Sequence, residues 1–163
     1  MDSGIEAHYR TCFPAIREKC RRMLRDPDEA QDVAQVTLVR FWRSGPKGAD
    51  ARQATAWIYT TCTRLAIDRL RRRHRTRDLA SPEGADCAAG AGAETALLGR
   101  EELERISEQV STRELEAAVL HRIDGLSQPE IAELTCTSER TVRRLLERFD
   151  ARLQSLRSKG ALS

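Results

Sequence analysis

Gly125-Leu126-Ser127-Gln128-Pro129-Glu130-Ile131-Ala132-Glu133-Leu134-Thr135-Cys136-Thr137-Ser138-Glu139-Arg140-Thr141-Val142-Arg143-Arg144 holds two helix starts in close succession. Ser127 with Glu130 three positions later is a capping box, in which hydroxyl and carboxylate each take an orphan backbone N–H of the first turn. Pro129 suits that first turn, where a missing N–H costs nothing. The short helix carries Ile131, Ala132 and Leu134, and Ser138 then caps a second, longer helix from Glu139 to about Leu156. Short helix, tight turn and long helix in that order make a helix-turn-helix.

On a wheel of the long helix, Val142, Leu145, Leu146, Phe149 and Leu153 occupy one arc and Arg140, Arg143, Arg144 and Arg148 the opposite one. A basic arc on an isolated helix is usually a solvated face. After two capped helices at this spacing, it reads instead as an arc that enters the major groove of DNA.

Upstream, Ser111-Thr112-Arg113-Glu114 is a further capping box, opening a helix from Thr112 to Ile123 that closes near Gly125, and Thr95 to Val110 reads as another helix. Between Asp78 and Glu94 the sequence is rich in Ala, Gly, Ser and Pro, the composition of a flexible linker. Before it, Tyr9, Phe13, Ile16, Cys20 and Leu24 recur at helical spacing in a helix from Ile5 to Leu24. Asp26-Pro27-Asp28-Glu29 starts a second helix, reaching about Arg43, whose extra hydrophobic surface suggests a partner-facing side. After a loop from Ser44 to Asp50, Ala54 to about Arg77 is a helix that ends in a basic run: Arg69, Arg71, Arg72, Arg73, Arg75 and Arg77. The expected fold is all-α: a helical domain over residues 1–78, a linker over 79–94, and a helix-turn-helix domain over 95–163.

Composition agrees with small helical units, because a third of the 163 residues are charged and only 4% are aromatic. The net charge of +3 is modest, so local clustering of arginine matters more than the total. No apolar run reaches the length of a membrane span and the start lacks a signal-peptide pattern, so a cytoplasmic location without membrane contact is expected. Cys12, Cys20, Cys62, Cys87 and Cys136 form no C-x-x-C pair, which favours reduced thiols over a disulfide framework. His8, His74 and His121 are scattered, and neither a metal site, a cofactor site nor a nucleophile–base pair is expected.

Three stretches in order resemble the two-domain sigma factors of the extracytoplasmic-function group, a non-enzymatic branch of the sigma-70 superfamily. Asp26 to Arg43 is similar to the helix by which the family binds core RNA polymerase, which implies contacts from Asp28, Asp32 and Gln35; Val36 stands where an acid is common. Ala56 to Arg73 is similar to the helix that melts the proximal promoter element and holds its displaced single strand, which implies DNA contacts from Arg64, Arg69, Arg71, Arg72 and Arg73. Phosphates need arginine and exposed bases need a partly apolar surface beside it, so the residue types suit that role. Arg64 replaces a common asparagine, Trp57 reads as core, and by analogy the loop from Ser44 to Thr55 presents a flipped-base pocket without an aromatic. The opening stretch, Gly125 to Arg144, is similar to the reader of the distal, duplex promoter element, which implies contacts from Ser138, Arg140, Thr141, Arg143, Arg144 and Arg148. Cys136 sits where the turn usually has glycine, and Asp150 where a basic residue is frequent.

The resemblance implies a subunit that joins core polymerase, directs it to promoters and leaves catalysis to it. It also allows an anti-sigma factor as a further partner. The alternative is a stand-alone helix-turn-helix regulator that never binds polymerase, although such a protein has no need of residues 26–77. A thiol- or metal-dependent DNA-modifying enzyme lacks the residues for its chemistry.

Overall fold

The computed structural model describes residues 3–79 and 99–160, and among them there are seven helices and no strand. They are α1 (Ser3–Leu24), α2 (Pro27–Ser44), α3 (Ala51–Leu79), α4 (Arg100–Gln109), α5 (Thr112–Arg122), α6 (Gln128–Leu134) and α7 (Glu139–Ser158).

The boundaries follow from local chemistry. Asp26 accepts the backbone N–H groups of Asp28 and Glu29, both at 3.0 Å, with Pro27 in the first turn of α2. Asp50 and Gln53 exchange the same kind of bonds ahead of α3, at 2.7 and 3.3 Å, so α3 begins at Ala51 and not at Ala54. At its other end α3 takes in Leu79, the first residue of the expected linker; the rest of that linker lies outside the described residues. The helix expected from Thr95 starts only at Arg100: Gly99 is extended and donates its N–H to the Glu102 carboxylate at 2.7 Å. Residues 95–98 lie outside the described residues.

α1, α2 and α3 pack around Ile16, Met23, Leu24, Val33, Leu38, Ile58, Ile67 and Leu70, while α5, α6 and α7 pack around Leu115, Leu120, Ile131, Val142, Leu146, Phe149 and Leu153. Each such aliphatic or aromatic side chain contributes about 1.5–3 kcal/mol when buried. α4 lies against α3, with Leu103, Ile106 and Val110 buried, and α5 also touches α3. The second unit thus rests on the last helix of the first, and one continuous apolar cluster runs through both.

The helix-turn-helix forms as its caps require. The Ser127 backbone N–H donates to Glu130 at 2.8 Å, and the Thr141 N–H donates to the Ser138 hydroxyl at 3.2 Å. In the turn, Thr137 N–H reaches the Ala132 carbonyl at 2.9 Å, and this reversal puts Cys136 at φ +52°. That is the left-handed region, where a side chain with a Cβ is strained.

Candidate nucleic-acid interface

α7 turns its apolar arc inward, with Val142, Leu146, Phe149 and Leu153 buried, and leaves Arg140, Arg143, Arg144 and Arg148 exposed. Ser138 and Thr141 bond each other through their hydroxyls at 2.9 Å, so these two residues first of all fix the helix start beneath the basic arc. The N-terminus of α7 adds its own partial positive charge there. Asp150 pairs with Arg122 of α5, whose guanidinium also stands 5.2 Å from the Phe149 ring, so this acid braces α7 against α5.

On α3, the arginines expected to meet the displaced strand have divided fates. Arg72 is exposed and Arg69 half-buried. Arg73 is only 12% exposed: it donates to the Leu24 carbonyl at 2.9 Å and pairs with Asp26 and Glu29, tying α3 to the start of α2. Arg71 donates to the carbonyls of Ser107 and Val110 at 2.8 and 3.0 Å and to the Thr112 hydroxyl at 2.7 Å. Arg64 reaches Glu116 at 3.2 Å. Burial holds the Glu116 carboxyl above its ordinary value, against the opposing pull of Arg64. Trp57 is half-buried against the core, its ring centroid 5.6 Å from that of Phe41. The loop over residues 45–50 contains no aromatic.

α2 presents a different surface. Asp28, Asp32 and Gln35 are exposed, and on the same side stand Val36, Val39 and Trp42, the last 53% exposed. Large apolar groups left in water beside acids mark a surface for a protein partner.

Several contacts were not legible in sequence. Lys19, fully buried, donates to Asp124 and lies 5.2 Å from the centre of the Tyr59 ring. Arg75 meets Glu108 at 3.1 Å, Arg77 meets Glu104 at 3.0 Å, and Arg52 pairs with Glu133. The available signal was an acidic face on α4, Glu101, Glu104 and Glu108 at intervals of three and four, opposite the arginine run. Cys20 and Cys62 face each other across α1 and α3 with sulfurs 3.0 Å apart, both buried, and their shared hydrogen bond and burial push the Cys20 thiol up, away from the reactive thiolate. Among the described residues no group of His, Cys, Asp and Glu is arranged to hold a metal. No helix among them is long and apolar enough to cross a membrane.

Residues 8–76 match the family described as Sigma-70 region 2, and residues 100–149 match Sigma-70, region 4. The ECF RNA polymerase sigma factor SigW of Bacillus subtilis (strain 168) is 28% identical over 145 residues, which cover 82% of this chain and 78% of that protein. The chain belongs to the extracytoplasmic-function group of the sigma-70 family. The sigma factor also shares its fold with RpoE from Bartonella quintana, solved in complex with the anti-sigma factor NepR: TM-score 0.55, 21% identity, 96% of this chain and 98% of that one. Region 2 of the sigma factor corresponds to α1–α3, with the apolar face of α2 and the arginines of α3, and region 4 holds the helix-turn-helix with the basic arc of α7.

Proposed function

We propose that this sigma factor binds core RNA polymerase and directs it to specific promoters to initiate transcription, with no catalytic chemistry of its own. Residues 1–78 bind polymerase and melt the proximal element, residues 79–94 link, and residues 95–163 read the distal element as duplex. α2 docks on polymerase through Asp28, Asp32 and Gln35, extended by Val36, Val39 and Trp42. α7 reads base edges with Arg140, Arg143 and Arg144, while Arg148 holds phosphate; Ser138 and Thr141 set the helix start against the DNA backbone. On α3, Arg69 and Arg72 serve the single strand, joined by Arg64 and Arg71 when those are free, and Arg73 acts mainly by holding α3 to α2. The protein works in the cytoplasm, where the polymerase is, and an anti-sigma factor is a compatible regulator.

The observation that supports this reading best is one chain with two faces: an acidic and apolar side on α2 and a bare arginine arc on α7. A simple repressor needs only the second. In vitro transcription with purified core polymerase on a promoter library tests it. Transcripts that depend on the protein are expected, and tight operator binding with no transcript and no gain from polymerase would give the stand-alone regulator instead.

A further inference from the structure

Two neighbouring side chains at the end of α5 hold the helix-turn-helix from outside it. His121 donates from Nδ1 to the Leu126 carbonyl at 2.8 Å, which pins the chain just ahead of α6. Arg122, the last residue of α5, turns instead to α7: it pairs with Asp150, and its guanidinium stands 5.2 Å from the centre of the buried Phe149 ring. α7 is otherwise seated by Val142, Leu146, Phe149 and Leu153. Apolar burial is non-directional, so it fixes the depth of a helix better than its rotation about its own axis. A roll of about 20°, within the scatter of helix packing, carries a side-chain tip about 5–6 Å from the axis through about 2 Å. A binding constellation tolerates only about 0.5 Å. The roll therefore needs a directional contact, and the planar, charged hydrogen bonding of Arg122 to Asp150 supplies one.

The pair is set close to the reading arc. Asp150 follows Arg143 by two turns, about 10 Å along α7, so both lie on one side of the helix. Arg122, Asp150 and Arg143 line a single cleft, together with His121, Gln128 and Glu147. Arg143 is exposed there, whereas Arg122 is engaged. Asp150 is 48% exposed, and an ion pair so open to solvent adds little to stability, so its loss should show in the orientation of α7 before it shows in folding.

We propose that Arg122, outside the helix-turn-helix, is a positioning residue for distal-element reading: through Asp150 it sets the roll of α7, and thereby the base pair that Arg143 meets. This rests on the reading of α7 as the helix that reads the distal element. Arg122 acts through Asp150 and makes no DNA contact of its own.

The test uses holoenzyme reconstituted from the full chain and purified core polymerase, selecting from a promoter library randomised in the distal element, with melting of the free chain measured alongside. Arg122→Gln and Asp150→Asn are each expected to lower the ratio of preferred to second-best distal sequence about tenfold, near the lower end of what loss of one bidentate base contact gives. Melting and the salt dependence of binding should stay close to wild type. Combining the two changes should relax preference no further, because the members of one pair are not additive. Asp150→Glu, which keeps the carboxylate, should retain the wild-type preference. A merely structural brace would instead lower melting and weaken all sequences alike, and that outcome overturns the proposal. So does an Arg122→Gln holoenzyme with unchanged preference and a shallower salt slope, which makes Arg122 a phosphate contact. An Asp150→Asn holoenzyme that binds every sequence more tightly with its preference intact overturns it as well, since Asp150 then only repels phosphate. Failure of the α7 reading shows up separately, as a wild-type holoenzyme with no distal preference at all.

Discussion

At the residue scale, the bare arginines of α7 allow base reading to be separated from anchoring. Arginine donates to two guanine acceptors at once, and losing one such pair costs about 1–3 kcal/mol of discrimination. Arg143→Ala is expected to relax preference at one or two base pairs of the distal element, whereas Arg148→Ala, further along the helix, should weaken all sequences about equally. Promoter selection on both variants checks this; an unchanged preferred sequence in both would mean that α7 only anchors. Cys136 gives a stability test at the same scale. Its φ of +52° suits glycine, so Cys136→Gly is expected to raise stability by about 1 kcal/mol, read from the denaturation midpoint, with promoter preference unchanged. The exposure of this arc and the left-handed turn at Cys136 were legible because both depend on neighbours a few residues away. Arg73 was not: its partners Leu24, Asp26 and Glu29 come from the far end of α1 and the start of α2, and a residue inside a basic run carries no mark of being enclosed.

At the scale of elements, caps made the sequence informative. Ser111, Ser127 and Ser138 each begin a helix as expected, since a cap is a contact within one turn. Gly99 is extended where the expected helix would run through it; it offers no side-chain signal of its own, and only Glu102 reaching back marks the start of α4 at Arg100. α2 yields a prediction of its own. Val39 and Trp42 are exposed, so Val39→Ser with Trp42→Ala should leave helical content and melting nearly unchanged, since exposed positions seldom cost more than about 0.5 kcal/mol. The same change should markedly reduce capture of core polymerase in a pull-down, because aromatic groups at the centre of an interface contribute a large share of its affinity. Wild-type capture would move the docking surface off α2.

At the scale of the whole molecule, the all-α class was readable, yet the seating of the second unit on α3 was not. It depends on partners such as Lys19 and Asp124, 105 positions apart, and no periodicity connects charges at that distance. The interface has a pH signature, carried by Glu116, which α5 contributes beneath Arg64 of α3. Burial raises the folded-state pKa of this carboxyl, so the folded chain binds the proton more tightly than the unfolded chain does. Folding is therefore favoured, through this group, at low pH, and the contribution is lost as pH rises through the raised value. Glu116→Gln keeps the shape and an acceptor for Arg64 but has no proton to lose. Near pH 4 the variant and the wild type should melt together, because Glu116 is then largely protonated in both states. The difference should open in favour of the variant as pH rises and level off above the raised pKa, when the wild type buries a charge and the variant does not. Thermal unfolding of both proteins from pH 4 to 8 measures this. A glutamine variant that melts lower at neutral pH would mean that attraction to Arg64, itself mostly exposed and screened by solvent, outweighs the cost of burying the carboxylate.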